Sequence, residues 1–113
     1  MRIGVTSQNF RTITGHAGKT RRFLIYATQE DGSVREVKRL DLPKHMSMHE
    51  YHGDDHPVFE LNVVITAGHG EGFARRLAAR GIEVVATSDT DPLAAARAIA
   101  FGGNLAPPLA HSH

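Results

Sequence analysis

Cysteine is absent from this chain of 113 residues, which excludes disulfides and any cysteine-ligated iron-sulfur cluster. A charge surplus is missing as well. Thirteen basic residues against twelve acidic give a net charge of +1, so the phosphate attraction that drives nucleic-acid binding is not advertised. The basic run Lys19-Thr20-Arg21-Arg22 is a local anion patch, too short to line a groove. No apolar stretch approaches membrane-spanning length, and the N-terminal Ile3 and Val5 give way to Thr6-Ser7-Gln8-Asn9 too soon for a signal peptide. The expectation is a soluble cytoplasmic protein without a membrane or nucleic-acid partner. Catalytic signatures are also lacking: there is no Gly-x-Ser-x-Gly elbow, no cysteine nucleophile and no Walker loop. Asp54 and Asp55 are adjacent and would point apart in an extended loop, so nothing marks them as an acid/base pair.

Histidine is what the chain has in quantity. Four of its eight histidines, His45, His49, His52 and His56, fall in one twelve-residue window. Imidazole suits zinc, copper, nickel and iron, and Glu50, Asp54 and Asp55 offer oxygen ligands nearby. The spacing of four, three and four would align the imidazoles on one helical face, but Gly53 and Pro57 argue against a helix. A loop that orders around a ligand is the expectation, beside the alternative of a solvated loop with incidental histidines.

The length suits one compact domain over residues 1–105, followed by a disordered tail over 106–113. Arg2 to Thr6 alternates as a first strand. Phe23 to Thr28 and Val34 to Leu40, with Asp31-Gly32 between them, carry the strongest hairpin signal. Leu61 to Ala67, around Val63-Val64-Ile65, reads as a strand buried on both faces. Phe73 to Arg80 is a predicted helix closed by Gly81, Ile82 to Thr87 a further strand, and Asp91-Pro92 the cap and first turn of a helix reaching about Phe101. The order implies an α/β layer on a mixed five-stranded sheet, antiparallel at the front with a βαβ unit at the back.

Two further segments are candidate sites. Gly15-His16-Ala17-Gly18 follows the first strand, and its glycines permit a tight turn that exposes the imidazole. Gly68-His69-Gly70-Glu71-Gly72 follows the most buried strand and opens a helix, where free amides accept an anion. Its glycine spacing does not match a dinucleotide fingerprint.

Taken together, Arg2 to Thr6, the Gly-His-x-Gly loop before Arg22-Phe23-Leu24-Ile25-Tyr26, the strand and turn Val64 to Gly70, and Gly81 to Thr87 with the Asp91-Pro92 helix resemble one family. It is the dinitrogenase iron-molybdenum cofactor biosynthesis family, the NifX/NafY-like domain also found at the C-terminus of NifB. The resemblance implies an RNase H-like fold and a non-enzymatic carrier of iron-molybdenum cofactor or an iron-sulfur precursor cluster, with nitrogenase or cofactor-assembly proteins as partners. It makes His16 the candidate cluster ligand and maps the family's glycine-rich turn onto Gly68 to Gly72. His69 departs from the family pattern, in which methionine is often found, and the 45–56 window falls in a variable loop.

The leading expectation is therefore a metallocluster carrier. His16 is its primary ligand, Gly15, Gly18, Gly68 and Gly70 bring backbone to the cargo, and Arg21 or Arg22 offsets its charge. His69 and one or more of His45, His49, His52 and His56 close over it. The alternative is a store or chaperone for zinc, nickel or copper built on the 45–56 loop, and the third reading is a hydrolase or redox enzyme with a histidine-bound metal.

Overall fold

The structure, a computed structural model, describes residues 1–109. Five strands and two α-helices follow in the order β1 (Arg2–Thr6), β2 (Arg22–Thr28), β3 (Val34–Asp41), β4 (Val63–Thr66), α1 (Glu71–Ala78), β5 (Glu83–Ala86) and α2 (Pro92–Ala100). Two short 3₁₀ turns, Lys44–Met46 and Pro57–Glu60, lie in the long connection between β3 and β4. The strands form one mixed sheet in the order β3-β2-β1-β4-β5. β1 pairs antiparallel with β2 and parallel with β4, β2 pairs antiparallel with β3, and β4 pairs parallel with β5.

Alternation along the strands divides the core in two. Phe23, Ile25, Leu40 and Val64 face α1, where Phe73 and Leu77 project at helical spacing, and the β3–β4 connection, which adds Met48, Val58 and Leu61. Ile3, Val5, Leu24, Tyr26, Val63 and Ile65 face Ala95 and Ala96 of α2 on the other side. Gly4 lies in the central strand because a Cβ there would overlap Leu61 Cδ1.

The element boundaries differ from the sequence expectation where backbone groups find partners outside the sheet. β4 is shorter than Leu61 to Ala67: the Leu61 amide closes the preceding 3₁₀ turn on Val58, and the Ala67 amide leaves the ladder to donate to Thr14. α1 starts earlier than Phe73, on a glycine N-cap, and ends where Ile82 donates to Leu77 across Gly81 at φ +76°. α2 keeps its expected start, with Asp91 accepting from the Ala94 amide and Pro92 in the first turn. The expected tail begins as bonded backbone: the Pro107 carbonyl accepts from the Ser88 amide and the Ala106 carbonyl from the Thr87 hydroxyl. The rest of that expectation, residues 110–113, lies outside the described residues.

Because β1, β4 and β5 run parallel, the segments that follow all three leave the sheet at one edge. This places Gly15-His16-Ala17-Gly18 and Gly68-His69-Gly70 side by side. Among the described residues, no helix is long and apolar enough to cross a membrane.

Candidate functional site

At that edge the chain lines a half-open cavity of about 1060 Å³. Two buried threonines at the strand ends set its frame. The Thr6 hydroxyl donates to the Thr14 carbonyl and contacts the Thr66 hydroxyl at 2.9 Å, and Thr66 in turn bonds the Gly68 carbonyl at 3.0 Å. The Ala17 amide donates to Gly68 and the Ala67 amide to Thr14, each at 3.0 Å, so the two glycine loops are stapled to each other through backbone and hydroxyl groups alone. The two loops are thus held together without using the His16 or His49 imidazole.

His16 stands exposed on the first loop with φ at +57°, a left-handed conformation that a side chain other than glycine adopts at a cost of about 1–2 kcal/mol. Its carbonyl closes the turn by accepting from the Lys19 and Thr20 amides. His69 lines the cavity from the second loop, its Nδ1 at 2.9 Å from the Gly70 carbonyl and its ring 6.2 Å from that of Phe73. His49 arrives from the long connection, whose backbone is tied to the first loop by a bond from the His49 amide to the Gly18 carbonyl. The cavity thus brings together His16, His49 and His69 with Gly15, Gly18, Gly68 and Gly70.

Other expected residues stand elsewhere. His45 and His52 are exposed and outside the lining. His56, expected among the metal ligands, is a core residue: its Nε2 is 2.6 Å from the Met46 carbonyl and its Nδ1 accepts from the Val58 amide, so both ring nitrogens are engaged. Burial holds its pKa below the ordinary histidine value, although the Met46 bond works in the opposite direction. Arg21 and Arg22, expected to offset cargo charge, do not reach the cavity. Arg22 bonds Asp41 and the Gln8 carbonyl and lies over the Phe10 ring, on the α2 side of the sheet's hairpin. Among the described residues, no three histidine, aspartate or glutamate side chains converge closely enough to hold an ion by themselves.

The structure adds residues the sequence did not assign to a site, Lys19 apart from its place in the basic run. Lys19 and Arg76 bring positive charge to the lining, Met48 and Phe73 an apolar floor, and Pro108 and Leu109 a wall from the C-terminal segment. Arg76 is half-buried, donating from Nη1 to the Met48 carbonyl at 2.7 Å with the Phe59 ring 6.0 Å from its guanidinium carbon. Helical spacing was the available signal for it, since Arg76 neighbours Phe73 and Leu77 on the inward stripe.

Known proteins bear on this geometry. The crystal structure of PH0822 is similar over 91% of this chain and 92% of its own, with a TM-score of 0.67 and 18% identity. The NMR structure of TM1290 from Thermotoga, named a candidate NifB protein of the DUF35 family, is similar over 89% of this chain and 88% of its own, with a TM-score of 0.53 and 19% identity. At such identities the likeness is one of fold. No curated protein matches the chain. The family described as dinitrogenase iron-molybdenum cofactor matches residues 1–100, nearly the whole of the described chain with its cavity loops, and the chain belongs to that family.

Proposed function

We propose that this protein is a non-enzymatic carrier that holds an iron-molybdenum-type cluster, or an iron-sulfur precursor of it, and passes it to nitrogenase or to cofactor-assembly proteins in the cytoplasm. The observation that carries the reading is the meeting of His16, His49 and His69 with glycine-lined backbone in one cavity large enough for a cluster-sized cargo. A carrier needs few and reversible bonds to its cargo. Imidazoles on exposed loops meet that requirement, where several thiolates would hold the cluster tightly. Family membership supports a role in cofactor biosynthesis. The strand order β3-β2-β1-β4-β5, with β2 alone running against the other four strands, supports an RNase H-like assignment of the fold. That assignment carries no nuclease function here, because β1 offers no carboxylate to a pair of metal ions.

His16 is the primary ligand in this reading, because its imidazole is exposed on a loop whose backbone is already fixed by the Gly68 carbonyl at Ala17 and the Thr66 hydroxyl at Thr14. His69 and His49 close on the cargo from the other two walls. The divalent-ion reading of the 45–56 loop draws no comparable support, since only His49 of its four histidines lines the cavity.

Anaerobic incubation with isolated iron-molybdenum cofactor, followed by desalting and metal analysis, tests the proposal. Wild type is expected to retain iron and molybdenum stoichiometrically, and His16→Ala to lose most of both while keeping the wild-type thermal midpoint. Equal retention by the variant overturns the ligand assignment, and no retention by either overturns the carrier reading.

A further inference from the structure

The lining of the cavity is one-sided in charge. Lys19 and Arg76 contribute two permanent cations, the three histidines contribute groups that are neutral or positive, and among the described residues no aspartate or glutamate takes part. The nearest carboxylates along the chain, Glu50 after His49 and Glu71 at the start of α1, are exposed and outside the lining. A bare divalent cation entering here would meet imidazoles but also two positive side chains with no anion to offset them. An anionic complex would meet cations on two walls and the free amides at the start of α1.

Arg76 is also fixed in place. Its bond to the Met48 carbonyl and the Phe59 ring behind it hold the guanidinium half-buried, where screening by solvent is weaker than at the surface. Only part of its donor fork is used, because a single bond is made to protein. Lys19, by contrast, is exposed at the mouth, and its backbone is set by the turn that presents His16.

We infer that Lys19 and Arg76 make the cavity selective for metal complexes of net negative charge and reject simple divalent ions. The inference rests on the carrier reading for the site and adds the class of cargo. Arg76 supplies the fixed interior charge and Lys19 the attraction at the entrance.

Equilibrium dialysis with two probes tests it: tetrathiomolybdate, a dianion, and cobalt(II), a dication, each read by metal analysis. Lys19→Gln combined with Arg76→Gln keeps an amide donor for the Met48 carbonyl and removes both charges. Wild type is expected to bind the dianion more tightly than cobalt(II), with affinity falling as salt is raised. The double variant is expected to bind the dianion at least about tenfold more weakly, with a flatter salt dependence and no loss in cobalt(II) binding. Arg97→Gln, on the exposed side of α2, should match wild type. Equal dianion affinity in wild type and double variant, or tighter binding of cobalt(II) than of the dianion by wild type, overturns the inference. The cofactor-retention experiment reads the carrier proposal separately: no retention by wild type or His16→Ala, with dianion selectivity intact in wild type, leaves charge selection standing without the carrier.

Discussion

His56 does different work from the histidines around it. Its two nitrogens bridge the Met46 carbonyl and the Val58 amide, and its ring packs at 4.9 Å from Tyr51 and 5.6 Å from Phe59, so it braces the connection that delivers Met48 and His49 to the cavity. Burial disfavours its imidazolium, so the folded protein protonates it below the ordinary value of 6.5 while the unfolded chain takes up the proton at that value. Between those values the unfolded chain binds more protons. The contribution of His56 is therefore fully present above pH 6.5 and is lost as the pH falls through the folded pKa. Arg76 nearby lowers that pKa further and Asp55 raises it, so the window belongs to the cluster and not to the imidazole alone. Urea denaturation across this range should show wild-type stability declining on acidification, with a shallower decline for His56→Gln. The variant should be less stable at pH 8 by about 1–3 kcal/mol, the cost of leaving the Met46 carbonyl or Val58 amide without a partner.

At the scale of elements, the centre of the sheet is where packing is least forgiving. A methyl group at Gly4 of β1 would overlap Leu61, which is itself buried at the end of the second 3₁₀ turn, so Gly4→Ala should destabilise the protein by about 1–3 kcal/mol and lower its thermal midpoint. An unchanged midpoint would mean that Leu61 repacks freely. Glycine at position 4 was not singled out in the sequence, because the clash comes from a residue 57 positions away. The elements that were legible are those whose signals are local. Ile3 and Val5 alternate, Asp31-Gly32 turns the hairpin with Gly32 at φ +87°, and Asp91-Pro92 caps α2. The pairing of the Gly15 and Gly68 loops was also legible, since it follows from their positions after neighbouring strands. What could not be read was which histidines of the 45–56 window face inward. That choice depends on the Gly18, Met46 and Arg76 contacts, which lie far apart in sequence. The arginines follow the same rule: Arg21 and Arg22 sit next to the His16 loop in sequence but outside the cavity lining, whereas Arg76 is next to the cavity in space.

Over the whole molecule, the C-terminal segment is part of the site. Ala106 and Pro107 are bonded to the loop after β5, and Pro108 and Leu109 close one wall of the cavity. A chain ending after Leu105 keeps the Leu105 contact with the core but strips the buried Thr87 hydroxyl of the carbonyl that accepts its proton. Such a truncation should lose about 1–3 kcal/mol in urea denaturation and retain less cluster after desalting. Full retention would remove the C-terminal wall from the account of binding. The parallel arrangement of β1, β4 and β5 has one more consequence. β2 runs back from the cavity, so the Gln29–Ser33 turn stands at the opposite pole. The candidate site lies at one end and the hairpin turn at the other. The protein therefore has a blunt end at which an added domain, a tether or a reporter would point away from whatever the other end is holding.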